Sequence, residues 1–136
     1  MVEYKVNMNC GSMLDGNIYM SSMDLNGLFR YEVKNKKLEY ISPFAEEDPS
    51  YALYNKSFSN KSEIWFVPQH GNKIAIYDSN RGDLEYLELK YNSRHELSID
   101  KLPIMSLASG RIDDSRIFIL PAGIDTAMII DMDSRE

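Results

Sequence analysis

Two histidines are the first residues to weigh for chemistry. His70 stands in a turn after Pro68 and Gln69, and His95 lies between Arg94 and Glu96 in a long connection. A zinc site needs several nitrogen or sulfur ligands at short spacing, and neither histidine has a second one there. A nucleophilic site needs a serine or cysteine motif beside the base, and none adjoins His70. Both therefore read as turn or loop histidines, with His70 expected to face solvent. Cys10 is the single cysteine, which excludes an intrachain disulfide and a cysteine cage for zinc. It is expected as a small, partly buried thiol, since reactivity needs a basic neighbour. No catalytic residue, metal-ligand set or cofactor is assigned.

Asp78-Ser-Asn80-Arg-Gly82-Asp83 resembles a calcium loop in its alternating carboxylates and amide. It departs at Gly82, which takes a ligand position, and no bidentate glutamate follows at the proper distance. The corresponding Glu32-Val-Lys34-Asn-Lys36 is unsuited to a cation, so the expectation is an Asx-type hairpin turn. Arg81-Gly82-Asp83 is the tripeptide read by integrins, a short match that needs an extracellular context to gain meaning. Asn55-Lys-Ser57 and Asn60-Lys-Ser62 fit the glycosylation pattern and matter only in a secreted eukaryotic protein. Glu46-Glu47-Asp48, before Pro49, reads as a solvated loop. His70, Arg81, Asp83 and Asp125 remain as loop candidates for ligand binding.

The elements that must position these residues are strands. Nine Tyr, five Phe and one Trp in 136 residues lean towards β structure, and helical apolar periodicity is absent. Internal repetition organises the chain. A shift of 46 residues lays Asn17-Ile-Tyr-Met20 on Glu63-Ile-Trp-Phe66, Tyr31 on Tyr77 and Leu38-Glu-Tyr40 on Leu84-Glu-Tyr86. A shift of 53 lays Trp65 on Phe118, Pro68 on Pro121 and Asp78 on Asp131, and puts Cys10 and Lys56 in line with Ser109. Each copy reads as a polar-leaning strand, an apolar strand, a turn, a third strand, a turn and an alternating strand. Trp65, amid Ile64 and Phe66, is expected to pack between neighbouring copies.

Four-stranded units at this spacing resemble β-propeller blades of the kelch and surface-layer types. The resemblance rests on strand and turn pattern. The paired glycines of kelch repeats and the Trp-Asp of WD repeats are missing, so no residue role carries over. It implies an all-β, propeller-like fold in one domain: blade 1 about 6–44, blade 2 about 51–90, and an incomplete blade 3 about 104–136. Leu84 shifted by 53 falls at 137, one past Glu136, so the fourth strand of blade 3 is expected to be lacking. A fragment of a longer propeller is the favoured account. The alternatives are a strand supplied by Met1–Val6, in this chain or a neighbouring one, so that two half-rings close a six-bladed ring, and three sheets stacked without a ring.

With 43% hydrophobic and 26% charged residues, the chain reads as an ordinary soluble domain. Its net charge of -6 argues against nucleic acid and anionic membranes as partners. No apolar run approaches the ~20 residues of a span. The N-terminus has no apolar signal core, so the compartment is cytoplasmic if that terminus is native and extracytoplasmic if a signal has been trimmed. The leading functional expectation is a non-catalytic binding or protein-interaction module. Its partner would be another protein, the remaining blades of its own ring, or a second copy. The alternative is a sugar-binding or hydrolytic propeller with its site at the channel mouth, lined by Asn9, Ser12, Asn55, Ser57, Ser106 and Ser109.

Overall fold

The computed structural model describes residues 5–89, 106–121 and 127–136. Its regular structure, among those residues, is entirely β, in three antiparallel sheets. The first holds β1 (Met8–Leu14), β2 (Asn17–Ser22), β3 (Gly27–Glu32) and β4 (Lys37–Pro43), in that order. The second repeats it with β5 (Tyr54–Asn60), β6 (Glu63–Pro68), β7 (Lys73–Asp78) and β8 (Asp83–Glu88). The third comprises β9 (Ser106–Arg111), β10 (Arg116–Pro121) and β11 (Met128–Asp131), with β11 at an edge. This is the all-β, propeller-like arrangement of blades, the last incomplete.

Short strands follow from closely spaced turn residues. Asp15 and Gly16 take φ of 49° and 77°, the double positive φ that a two-residue type I′ hairpin requires. The 46-residue shift carries the first residue of β1, β2, β3 and β4 onto that of β5, β6, β7 and β8. Even the irregularity between Met8 and Cys10 recurs between Tyr54 and Lys56. The third sheet keeps the 53-residue shift at β10, but β9 is displaced. Ser106 opposes Pro121 as Tyr54 opposes Pro68, and Ala108 opposes Leu120 as Lys56 opposes Val67. Lys56 therefore corresponds to Ala108, not Ser109. The cause is the β9–β10 loop, Ile112 to Ser115, against the two-residue Lys61-Ser62 turn.

Two apolar layers hold the sheets together. In β6, Ile64 and Phe66 join Ala75 and Tyr77 of β7 in a layer facing Tyr19 and Leu28 of the first sheet. The alternate residues, Trp65, Val67, Ile74 and Ile76, face Ile117, Ile119, Ile130 and Met132 of the third. That explains the unbroken apolar run Ile64-Trp-Phe-Val67, since a strand buried on both faces loses alternation. Phe44, from the connection after β4, packs tilted against Tyr54 and edge-on against Phe66, with centroids 4.6 and 5.5 Å away. Trp65 is fully buried between the second and third sheets. Its indole N–H donates to Glu63 at 2.9 Å, and the Arg135 guanidinium lies 5.9 Å from its ring centroid.

Because Trp65 is the single tryptophan, its emission reports on this one interface. Ile119→Ala is expected to lower stability by about 2–5 kcal/mol, measured by urea unfolding, with fluorescence and circular dichroism shifting together. A loss below that range would show that Ile119 does not bear on this interface.

Candidate functional site

The first and second sheets meet at their first strands, β1 and β5. Asn9 Nδ2 donates to the Tyr54 carbonyl, and Ser12 and Ser57 share a hydroxyl hydrogen bond of 2.7 Å. These polar side chains of β1 and β5 thus bond across the junction. Cys10 lies among them. Burial pushes its thiol up to about 12, outweighing the hydrogen bonds from the Ser21 backbone and Ser57 and the nearby Lys56 charge. A protonated, half-buried thiol is a poor nucleophile.

Strand alternation sends the β2–β3 loop, the β6–β7 loop and the β4–β5 connection to one end of the sheets. There the segments are stapled together. Tyr51 to Leu53 lie in the centre. The Gln69 N–H donates to the Leu53 carbonyl at 2.7 Å, and the Ala52 N–H to the Met23 carbonyl at 2.9 Å. The Tyr51 hydroxyl donates to Met23 Sδ at 2.7 Å. His70 Nδ1 lies 2.9 Å from the Tyr51 carbonyl, a geometry that places the proton on Nδ1 and leaves Nε2 as acceptor. His70 is thus half-buried and pinned rather than a free solvent-facing turn residue.

Glu47 provides the second staple. Its Oε1 accepts the N–H groups of Asn72 at 2.8 Å and Lys73 at 2.6 Å. Gly71 passes close beneath it: a Cβ there would lie 2.9 Å from that oxygen, so a larger residue would push on the staple. Burial lifts the Glu47 carboxyl above its ordinary range, while those two N–H groups pull it back. The acidic triplet is therefore not simply solvated: Glu47 ties two loops, and Glu46 pairs with Lys73 at 3.1 Å. On this surface Leu25 and Tyr51 are 52% and 64% exposed. In the sequence Leu25 is hidden inside a turn signal, Asp24-Leu-Asn-Gly27, and Tyr51 inside a polar connection.

Arg81 and Asp83 lie at the opposite end, in the β7–β8 turn. Asp78 Oδ1 accepts the Asn80 N–H at 2.9 Å and the Arg81 N–H at 3.3 Å, and Gly82 has φ of 75°. This is the Asx-type turn. Arg81 pairs with Asp78, Asp83 and Glu85 at 3.1, 3.3 and 2.6 Å, so its charge offsets the carboxylates that would hold a cation. Among the described residues no three metal-ligating side chains come together. Asn60, of the second glycosylation pattern, is buried and donates to Asp133 at 2.9 Å. His95 and Asp125 lie outside the described residues. Of the four loop candidates, His70 is thus separated from Arg81 and Asp83 by the length of a strand.

No family model and no curated protein matches this sequence. Solved structures do. The extracellular domain of BT4673 from B. thetaiotaomicron, a protein assigned to the hybrid two-component systems, superposes with a TM-score of 0.67 at 13% identity. The match covers 99% of this chain and 17% of that one. Virginiamycin B lyase from Staphylococcus aureus superposes at 0.50 with 13% identity, over 92% of this chain and 41% of that one. The N-terminal domain of Nup159 gives 0.50 at 8% identity, over 92% and 45%. At these identities the likeness is one of fold, and the fold is propeller-like. The chain spans about a sixth of BT4673's extracellular domain.

Cys10 is expected to resist a thiol reagent at neutral pH and to react fully once the protein is unfolded; rapid labelling of the folded protein would contradict the buried, protonated state. Glu47→Ala is expected to cost about 1–2 kcal/mol by stranding two N–H donors. Glu47→Gln keeps an acceptor and removes a half-buried charge, so it should cost less, and urea unfolding of both variants checks the order.

Proposed function

We propose that this chain is a non-catalytic binding module, which contacts a protein partner through the loop end around Leu25, Tyr51 and His70. One observation carries the reading. Two large apolar side chains stay exposed on a surface whose loops are bonded to one another, and the ordering cost of forming it is already met in the free protein. Tyrosine and neighbouring apolar groups on a preorganised surface are what interface hot spots use. Propellers carry function on their loops, and the fold fixes none of it. Similarity to an extracellular domain of a two-component protein supports a sensing or binding role of this kind. The finer kelch-type or surface-layer-type affiliation is part of this proposal and rests on the strand and turn pattern.

The rival, a sugar-binding or hydrolytic site at the channel mouth, draws on the polar first strands. Asn9, Ser12 and Ser57 direct their polar groups to protein partners, which favours the loop end.

The test compares partners captured by immobilised wild-type protein, a Leu25→Ser/Tyr51→Ala variant and an Arg81→Ala/Asp83→Ala variant. Tyr51 and Leu25 are exposed enough that folding stability should change by less than about 1 kcal/mol. Capture of a directly binding partner should fall at least tenfold for the first variant and hold for the second. Equal capture by all three proteins would refute the loop-end reading.

A further inference from the structure

The two faces that look outward from the stack are built like the faces that meet inside it. The 46-residue shift carries Ile18, Met20, Tyr31, Leu38 and Tyr40 onto Ile64, Phe66, Tyr77, Leu84 and Tyr86. The second set packs the interface between the first two sheets, yet in the first set Leu38 and Tyr40 are 47% and 55% exposed. At the other end, the 53-residue shift carries Trp65, Val67 and Ile76 onto Phe118, Leu120 and Ile129. Trp65, Val67 and Ile76 are buried against the third sheet, whereas Leu120 and Ile129 are 40% and 59% exposed. Each outer face therefore carries one half of the internal interface, and the halves are opposite.

The rim charges match in the same sense. Between the second and third sheets, Lys61 Nζ on the β5–β6 turn meets Asp133 Oδ1, in the turn after β11, at 2.9 Å. The counterpart of Lys61 in the third sheet is Asp114, and the counterpart of Asp133 in the first sheet is Lys34. Both are exposed. The signs are exchanged at both positions, so a third sheet laid on a first sheet in the internal register again brings opposite charges together.

We propose that a second copy of this chain docks head to tail on the first, each third sheet packing on the other copy's first sheet. The two contacts are identical by symmetry, and six sheets close around a twofold axis. Heterologous faces generate a closed assembly when the rotation between units permits. Apolar faces of this kind on both sides are what an interface core presents.

Light scattering on a sizing column, from low to high micromolar protein, tests this. The wild type is expected at twice the mass of one chain. Ile129→Asp should run at the mass of one chain with circular dichroism and Trp65 emission unchanged, which separates lost docking from lost folding. Lys34→Glu and Asp114→Lys should each raise the dimer dissociation constant several-fold, because each creates a like-charge contact twice per assembly. The Lys34→Glu/Asp114→Lys double variant should restore it. A wild type at single-chain mass at high micromolar concentration overturns the proposal. So does a dimer that persists in Ile129→Asp, or one that ignores the charge exchange.

Discussion

Burial of both faces of β6 and β7 is the constraint on which the rest depends. A sheet covered on one side needs one apolar face, whereas these two strands supply two. Ile64, Trp65, Phe66 and Val67 are all fully buried. At roughly 1.5–3 kcal/mol for each large side chain taken out of water, the two strands contribute a large share of the hydrophobic stabilisation. They also set the register of both neighbours, because a one-residue slip would turn every side chain to the wrong layer. The outer sheets have a neighbour on one side only within the chain, and Met13 in β1 and Leu120 in β10 are exposed.

The loop end inherits its order from that stack. The connection from β4 to β5 crosses from one sheet to the next, and its backbone groups need partners along the way. The Met23 carbonyl accepts the Ala52 N–H, the Gln69 N–H and His70 Nδ1–H donate to the Leu53 and Tyr51 carbonyls, and Glu47 of the connection in turn accepts the Asn72 and Lys73 N–H groups of the β6–β7 loop. Ala52 takes a φ of 50°, a left-handed conformation that a non-glycine residue holds only where its surroundings fix it. A surface assembled in this way meets a partner without first folding. The opposite end is different in kind. Its turns are first closed locally, through Asp78 and Asp131 bonding the N–H groups just ahead of them in sequence, and are then tied between sheets by side-chain pairs such as Lys61–Asp133.

Much of the fold was legible in the sequence because turn chemistry and repetition act at short range. Asp78-Ser-Asn80-Arg-Gly82 announces an Asx-type hairpin turn, the shift of 46 residues predicts one sheet from the other, and the apolar surroundings of Trp65 point to packing between neighbouring copies. The phase of β9 was not legible. A longer loop after a strand moves that strand against its repeat while leaving β10 in place, and only strand pairing reveals it. The loop end was also hidden. Glu47 in an acidic run looks like solvated charge, and its role depends on Asn72 and Lys73, 25 and 26 residues away. His70 could be named as a candidate, but its bond to Tyr51 is a tertiary fact. So is the exposure of Leu25 and Tyr51, which no local pattern separates from ordinary turn filler.

The two apolar layers have one more consequence. One contains side chains of the first and second sheets and their connection, the other of the second and third sheets with Leu89. Cohesion is therefore a nearest-neighbour quantity, as in a one-dimensional stack. Releasing an outer sheet sacrifices one layer, while releasing the middle sheet sacrifices both. Amide protons of β6 and β7 should then exchange with solvent only when the whole stack opens, and those of β1 to β4 and β9 to β11 should escape earlier through partial openings that leave the rest intact. Within a single chain, the repeat that makes the three sheets look alike in sequence thus leaves them unequal in lifetime, and an undocked chain opens from its outer sheets inward.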